Sequence, residues 1–296
     1  AAAQVYPAAY WFSMMSLPTE DEVAQVDGGM NGYLTWVKNM GCVGCHQLGN
    51  ERTRTIPASL ADVGSSEEAW TLRISSGQAG NNMIGLATGR LRGLPIKYMA
   101  EWTDRIAAGE VPEEVPERPS GVERNVVATV RDWSSPQFYM HDLSGTDRRD
   151  PTVNGYGKLY GAPELSTDEM PVLDPAANTA SVFNVPVRDD DTPTTNDAPV
   201  VSPSPYWGDE RIWDSKSNIH NPMLDQDGRV WLTARIRGPD NPDFCREGSE
   251  HPSAMLYPKE RTGRQLAVLD PSTGEYTFVD TCFSTHHLQF AYDETN

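Results

Sequence analysis

The chain has 296 residues and carries 42 acidic against 24 basic side chains, a formal net charge of −18 at pH 7. Such a charge repels phosphate backbones and anionic lipid surfaces, so nucleic acid is excluded as an expected partner. The length suffices for two domains with separate cores. A content of 24 glycines and 23 prolines indicates a turn-rich and largely β body.

Residues 1–18 are predicted to form an extended lead-in. Packing against a neighbouring domain is the expected role of its aromatic side chains, which are Tyr6, Tyr10, Trp11 and Phe12. The longest apolar stretch, 10–17, is far shorter than the roughly 20 residues that span a bilayer, so we expect no transmembrane segment. Nothing basic precedes this stretch, which is atypical of a signal peptide. We therefore expect a mature chain or an internal piece of a longer protein.

A helical region is predicted over residues 19–112. Thr19 is followed by three acidic residues, which is typical of a helix N-terminus. Apolar side chains recur every three or four positions over 29–40, and this period predicts a helix. Further helices are predicted from Ser66 and over 95–108, the second because a proline opens it and a glycine ends it.

The run Cys-Val-Gly-Cys-His at residues 42–46 is the attachment pattern for a c-type haem. Cys42 and Cys45 would each form a thioether to one haem vinyl group, and His46 would ligate the iron from one face. Glycines at 41 and 44 give the turn its backbone freedom. A redox dithiol or half of a zinc site is the alternative, but no second cysteine pair follows at zinc-finger spacing. The sequence thus predicts one covalent haem c.

The second iron ligand is predicted to be Met83, with Met99 in reserve. Met83 lies in a glycine-flanked loop that can adapt its geometry, whereas Met99 lies on an amphipathic helix that uses methionine for its core. Met30 and Met40 are expected to wall the pocket. An open iron site is the third option, and a His/Met pair would raise the reduction potential relative to two nitrogen ligands. The order of helices, haem turn and methionine loop resembles a class I cytochrome c, which implies an all-α domain.

A proline- and glutamate-rich linker is predicted at 113–120, followed by a β region over 121–296. A valine-rich strand is expected at 125–133. Three hairpins are predicted, since Asp-Pro and Asp-Gly steps between apolar runs are turn signals. They cover 172–187, 220–232 and 268–280, and another strand is expected from His287.

The run Asp225-Gln226-Asp227-Gly228-Arg229-Val230-Trp231-Leu232-Thr233, with a later Leu-Asp-Pro-Ser-Thr-Gly at 269–274, resembles the repeat of streptogramin (virginiamycin B) lyase-like β-propellers. The whole chain is similar to exported bacterial proteins that join a carboxypeptidase-regulatory-like domain, a cytochrome c domain and such a propeller. The implied fold class is an α + β multidomain protein, in which a small all-α class I cytochrome c domain precedes an all-β, incomplete propeller. A closed propeller needs about four to eight blades, so we expect a missing portion or another chain to supply them.

Cys245 and Cys282 are candidates for a disulfide in an oxidising compartment, with two buried thiols as the alternative. Haem c is attached outside the cytoplasm, so a periplasmic or otherwise exported location is predicted.

His220 and His287 are weak catalytic candidates, because the lyase resemblance implies histidines at inner blade ends. Satisfying backbone groups at a strand entrance is the alternative. His286 is expected to face away from His287, since neighbours in a strand alternate. Asp225 is predicted to shape a hairpin turn. The aspartates at 189–191 are interpreted as a solvated charge run, with calcium or magnesium binding as the alternative.

The predicted function is that of an exported mono-haem c-type cytochrome fused to a β-propeller. It would transfer single electrons to a redox partner protein, basic in charge, within a periplasmic oxidoreductase system. The alternative is a propeller lyase or ligand-binding protein with the haem as sensor or relay.

Overall fold

The computed structural model describes residues 6–114, 117, 120–125, 131–195, 200–255 and 260–292. The chain divides into two compact units, Ala1–Thr129 with Ala198–Arg211, and Val130–Asp197 with Ile212–Asn296. Among the described residues, every helix is too short or too polar to cross a membrane.

Short helices dominate the first unit. The α-helices in its described part are α1 Ala8–Ser13, α2 Glu20–Val23, α3 Gly29–Lys38, α4 Cys42–Cys45, α5 Ser66–Ile74, α6 Gly80–Ile84 and α7 Leu94–Ala107. Single 3-10 turns cover Ala58–Leu60 and Gly121–Asn125, and a π-helical segment, Gly85–Arg90, follows α6 directly. The helices predicted over 29–40, from Ser66 and over 95–108 are confirmed in place and type.

Side-chain caps explain where two of these helices begin. The Thr19 hydroxyl accepts from the Glu22 amide, and the Glu22 carboxylate accepts from the Thr19 amide at 2.8 Å, which is a complete capping box. The Ser65 hydroxyl accepts from the Glu68 amide at 3.2 Å at the start of α5. Each cap satisfies an amide that the helix itself leaves without a partner.

Trp102 on α7 is completely buried in the core of the first unit. Its indole nitrogen donates to the Trp11 carbonyl at 2.9 Å, and Phe12 packs edge-on to its ring. The first described residues therefore form a helix on this core, whereas an extended lead-in was predicted. The apolar face of α1 needs a partner, and α7 supplies it.

The fold class predicted from the sequence is wrong for the first unit. The self-contained all-α class I cytochrome c domain is not seen in the described residues. The helical unit also takes in residues 200–211, where Ser202 forms a parallel β-bridge to Ser76 and accepts from the Gly77 amide at 3.1 Å. Sequence periodicity detects local helices, but it does not report a distant segment that pairs through backbone groups.

Two sheets form the second unit. Its described strands are β1 Asp142–Leu143, β2 Gly145–Thr146, β3 Leu159–Ala162, β4 Glu169–Asp174, β5 Thr179–Asn184, β6 His220–Leu224, β7 Val230–Ala234, β8 Gln265–Leu269 and β9 Tyr276–Val279. One sheet has the order β1-β3-β4-β5 and the other β2-β6-β7-β8-β9. Strands β2 and β6 pair in parallel, and the other pairs are antiparallel. A short helix, α8 Pro252–Met255, and a 3-10 turn, Asp243–Cys245, complete it.

All three predicted hairpins are confirmed, as β4–β5, β6–β7 and β8–β9. An aspartate organises each turn. Asp174 accepts from the Ala176 amide, Asp225 from the Asp227 amide and Asp270 from the Ser272 amide, at 2.8–3.0 Å. Because an aspartate carboxylate can replace a backbone acceptor two residues away, Asp is a reliable turn signal.

The predicted propeller is also wrong, since the described residues form no closed barrel or propeller. β7 pairs along its whole length with β8, from Val230 opposite Leu269 to Ala234 opposite Gln265. The hairpins β6–β7 and β8–β9, which the resemblance places together in one repeat, are thus neighbours in one sheet. Turn chemistry specifies a hairpin but not the sheet it joins. The strand predicted at 125–133 falls mainly on 126–130, which lie outside the described residues.

The Cys245–Cys282 disulfide is confirmed, with a Cα–Cα separation of 5.1 Å. Both cysteines are fully buried and pack with Ala254 and Phe244. The Asn241 side-chain amide donates to the Cys282 carbonyl at 3.3 Å. The disulfide therefore lies in a small apolar cluster of its own, separate from the main core of the second unit.

Candidate functional site

The Cys-Val-Gly-Cys-His motif folds as a single helical turn. Helix α4 runs from Cys42 to Cys45, and the His46 amide donates to the Cys42 carbonyl at 2.9 Å. A Cβ at residue 41 would lie 2.3 Å from the Trp36 carbonyl oxygen, so only glycine fits there. A Cβ at residue 44 would meet open space. The tight approach that the motif needs is therefore made at Gly41.

The two motif cysteines differ in exposure. Cys42 is half-buried and packs with Val43 against the core, whereas Cys45 is exposed. Burial raises the pKa of the Cys42 thiol, and the neighbouring Cys45 adds to the shift. The Cys42 thiol thus packs against the protein interior, and the Cys45 thiol is accessible from solvent.

A hollow of about 430 Å³ lies beside the exposed end of this turn. Its lining combines the motif with side chains from α1 and from the residues after the motif, namely Ala9, Phe12, Val43, Gly44, Cys45, His46, Gln47 and Leu48. The contribution of Ala9 and Phe12 was missed by sequence reasoning, although the aromatic run at 10–12 was a signal that α1 packs nearby. The Cys45 thiol and the His46 imidazole thus both border a hollow that is lined largely by apolar groups.

His46 is held towards its neutral form. Its pKa is lowered first by desolvation and then by the Arg73 cation, although part of the ring surface stays exposed. Arg73 is fixed by a 2.6 Å hydrogen bond to the Arg52 carbonyl. A neutral imidazole is the form that can ligate a metal, so the surroundings of His46 suit an iron ligand.

The structure separates the two methionines that were predicted as second ligand. The glycine-flanked loop expected at Met83 is wrong, since Met83 lies half-buried on helix α6. Met99 is only 6% exposed within the core, and Thr103 donates to its carbonyl at 2.8 Å. Met40, expected to wall the pocket, is 63% exposed, while Met30 packs against the core. Of the two candidate ligands, Met83 is therefore the one that lies outside the buried core.

The chain after Met83 returns to the motif. The Leu86 side chain lies so close to Gly41 that a Cβ there would be 2.8 Å from it. The Arg90 guanidinium stacks on the Trp36 ring at 4.3 Å. This π-helical segment was missed by sequence reasoning, because its composition predicts a loop. It keeps the Met83 region beside the helix that leads into the motif.

His220 and His287 lie close together in the second unit. His220 is on β6 and fully buried, and its ring centroid lies 5.0 Å from that of His287 and 4.3 Å from that of His286. The expectation that His286 faces away from His287 is wrong, since residues 284–291 contain no strand and the two rings are 4.3 Å apart. A bend in the chain removes the alternation that a strand would impose.

His141 and Asp142 complete this group, and neither was predicted. His141 Nδ1 lies 2.9 Å from Asp142 Oδ2 and 3.0 Å from His220 Nδ1. His220 Nδ1 also contacts Asp142 Oδ2. Burial opposes ionisation of Asp142, but hydrogen bonds from His141 and His220 outweigh it, so the pKa of the carboxyl lies well below its usual range. The carboxylate is the shared acceptor of the two imidazoles.

Two asparagines in left-handed backbone conformation bracket His220. Asn218 has φ 45° and Asn221 has φ 46°. The Asn221 amide donates to Asp142 Oδ2 at 3.0 Å, and its side-chain oxygen accepts from the Leu288 amide at 2.5 Å. Asn221 thus ties the strand of His220 to the segment that carries His286 and His287.

Acidic residues in the two runs at 189–191 and 225–227 contact protein groups. Asp189 accepts from Arg188 at 2.8 and 3.0 Å, and the Asp190 carbonyl accepts from Lys216. Asp225 accepts from the Arg229 side chain at 2.7 Å, besides shaping its hairpin turn as predicted. These contacts are those of charged turns, and binding of calcium or magnesium stays a prediction.

Comparison with known proteins gives no relative from which a role could be transferred. No family model, no curated protein and no solved structure matches the chain. Function must therefore be inferred from the sites themselves.

Proposed function

We propose that the chain carries one covalent haem c and transfers single electrons outside the cytoplasm. The observation that carries this proposal is the helical turn Cys42–Cys45, which ends at His46 beside an apolar-edged hollow. Two thiols and one imidazole in this order are the donor set for thioether attachment and iron ligation.

Each residue of the motif has a defined task. Cys42 and Cys45 would hold the haem by thioether bonds, and His46 would bind the iron in its neutral form. Phe12 and Leu48 line the hollow and would shield one edge of the group from water. When bound, haem supplies a one-electron iron couple whose potential depends on the axial ligands.

The disulfide supports an extracytoplasmic location. Disulfides persist in oxidising compartments, which are also where haem c is attached. Cys245 and Cys282 are bonded and buried. A periplasmic or otherwise exported protein fits both features.

The net charge of −18 indicates the kind of redox partner. Negative charge steers basic proteins towards the chain and speeds their association at low ionic strength. A basic electron-transfer protein is therefore the proposed partner. Its association rate should fall as salt rises, and a rate independent of salt would rule out this steering.

Haem attachment is tested by producing the chain in a bacterial host that matures c-type cytochromes. Haem that stays with the denatured polypeptide, with a pyridine haemochrome spectrum typical of two thioethers, is expected. Cys42→Ala and Cys45→Ala should each give a single-thioether spectrum or no attachment. The double variant Cys245→Ala/Cys282→Ala keeps the motif and should retain the haem. An unmodified wild-type polypeptide would refute the proposal.

The second ligand is tested by comparing Met83→Leu with Met99→Leu and with the exposed control Met40→Leu. Loss of the methionine–iron charge-transfer band only in Met83→Leu is expected, because Met83 is the half-buried candidate. Loss of this band only in Met99→Leu would reverse the assignment. A band absent from the wild type would exclude methionine as the ligand.

A further inference from the structure

The buried His220 side chain has one ring nitrogen without a partner. Its Nδ1 contacts the Asp142 carboxylate, whereas its Nε2 is buried and has no hydrogen-bond partner among the described residues. A neutral imidazole that donates from Nδ1 presents a lone pair at Nε2. A buried acceptor without a donor is unfavourable and needs an explanation. A metal ion is the partner that such a lone pair suits.

Two further imidazoles converge on His220. One potential ligand atom each from His220, His286 and His287 lies within 4.8 Å of the others. Nitrogen ligands of a tetrahedral ion, at about 2.05 Å from the metal, lie about 3.4 Å apart. Small ring rotations therefore close the arrangement around one ion.

Backbone contacts hold this group in place. The Thr233 hydroxyl lies 2.9 Å from the carbonyl oxygens of both His220 and His286. The Thr285 hydroxyl donates to the Gln265 carbonyl, and the Leu288 amide donates to Asn221. The segment that carries two of the imidazoles is thus fixed to β6, β7 and β8, although it belongs to no strand.

We propose that His220, His286 and His287 bind one divalent transition-metal ion, with zinc as the reference ion. His220 would bind through Nε2, and Asp142 would orient its ring by accepting from Nδ1. A carboxylate behind a ligating histidine is a frequent partner in protein metal sites. His286 and His287 are exposed, which leaves a coordination position open to water or a solvent-borne oxygen ligand, as in catalytic zinc sites. The site does not depend on the haem.

The ligand chemistry selects the ion. Imidazole nitrogens suit zinc, copper, iron and nickel, whereas calcium and magnesium take oxygen ligands. With three imidazoles as donors, zinc is expected to bind and calcium and magnesium are not.

A second grouping, His141, Asp142 and His220, also brings potential ligand atoms within 4.8 Å. It is disfavoured because Asp142 Oδ2 already accepts from the Asn221 amide and contacts both imidazoles. It would also leave the Nε2 atom of His220 buried and without a partner.

The test is isothermal titration of the full-length protein with zinc chloride, followed by calcium and magnesium. One zinc per chain is expected, and no heat from the other two ions. His286→Ala and His287→Ala should each weaken zinc binding more than about 100-fold, and Asp142→Asn about 10- to 100-fold. His251→Ala removes an exposed histidine outside the group and should leave the affinity unchanged.

His220→Ala opens a buried position, so its folding is checked by the thermal unfolding of the second unit. The exposed His286→Ala and His287→Ala variants carry the test if His220→Ala fails to fold. No zinc binding by the wild type would overturn the proposal. So would equal affinity in the wild type, His286→Ala and His287→Ala. Loss in His141→Ala with retention in His287→Ala would place the ion in the second grouping and overturn this assignment.

Discussion

Two arginines bind the same carboxylate, Asp280, from opposite environments. Arg237 donates from Nε at 3.0 Å with a side chain 4% exposed, and Arg188 donates from Nη1 at 2.8 Å with a side chain 41% exposed. The two arginines therefore differ in burial but share one acceptor, so comparing their variants isolates the effect of burial. We predict that Arg237→Ala destabilises the second unit much more than Arg188→Ala.

The magnitude follows from what each deletion leaves behind. Arg237 also donates to the carbonyls of Gly238, Asp240 and Thr281, at 3.1–3.2 Å. Removing one partner of a buried ion pair costs about 3–5 kcal/mol. We expect about 3 kcal/mol, at the low end of that range, because Arg188 still neutralises Asp280. An exposed pair contributes below about 1 kcal/mol, so Arg188→Ala should cost no more than that.

Native-state hydrogen exchange is the suitable assay, because a chain with two units need not unfold in one step. The opening free energies of amides in Val230–Ala234 and Gln265–Leu269 report on the second unit, and those in Leu94–Ala107 serve as an internal reference. High salt should reduce the effect of Arg188→Ala and leave that of Arg237→Ala nearly intact. Equal losses in the two variants, or a loss below about 1 kcal/mol for Arg237→Ala, would refute the argument from burial.

The double variant Cys245→Ala/Cys282→Ala should lower the free energy of unfolding of the second unit by up to about 4 kcal/mol, the chain-entropy value for a loop of this length. Hydrogen exchange measures this loss. No change would show that the loop is ordered without the disulfide. Lys97 hydrogen bonding, followed by backbone and side-chain partners, lowers the pKa of Glu22 from 4.5 to about 2. The stabilising effect of the ionised Glu22 carboxylate should therefore be complete above pH 4.5 and be lost as the pH falls towards 2. In Glu22→Gln, the free energy of unfolding of the first unit should depend less on pH in that window. Gly41→Ala should reduce the yield of attached haem and Gly44→Ala should not, since a Cβ clashes only at the first position; equal yields would contradict this.

Local chemistry could be predicted from the sequence, because nearby residues determine it. Thr19 and Glu22 form their capping box within one turn, and Asp174 and Asp270 accept from amides two residues ahead. The disulfide was also within reach, since Cys245 and Cys282 are the two cysteines outside the haem motif. In each case few partners compete, so residue type and spacing suffice.

Long-range pairing could not be predicted in the same way. The side-by-side pairing of β7 and β8 and the bridge from Ser76 to Ser202 are made by backbone groups that every residue carries. His286 and His287 were assigned to a strand because the run from His287 resembles the one that begins at His220, and tertiary contacts overrode that expectation. His220 and His287 were singled out from the sequence, but the contributions of His141, Asp142 and His286 became visible only in the structure.

The asparagines that bracket His220 limit how this part of the chain can vary. A left-handed backbone disfavours most side chains by about 1–2 kcal/mol, while glycine and asparagine adopt it readily. At Asn218 glycine would meet the backbone requirement, although the side-chain bond to Arg264 would be lost. At Asn221 glycine would also lose the acceptor for the Leu288 amide, and aspartate would add a second negative charge beside Asp142. In a saturation library, position 221 should therefore tolerate fewer residue types than position 218. The difference between the two positions would measure how much the protein depends on the contact between β6 and the segment that follows residue 285.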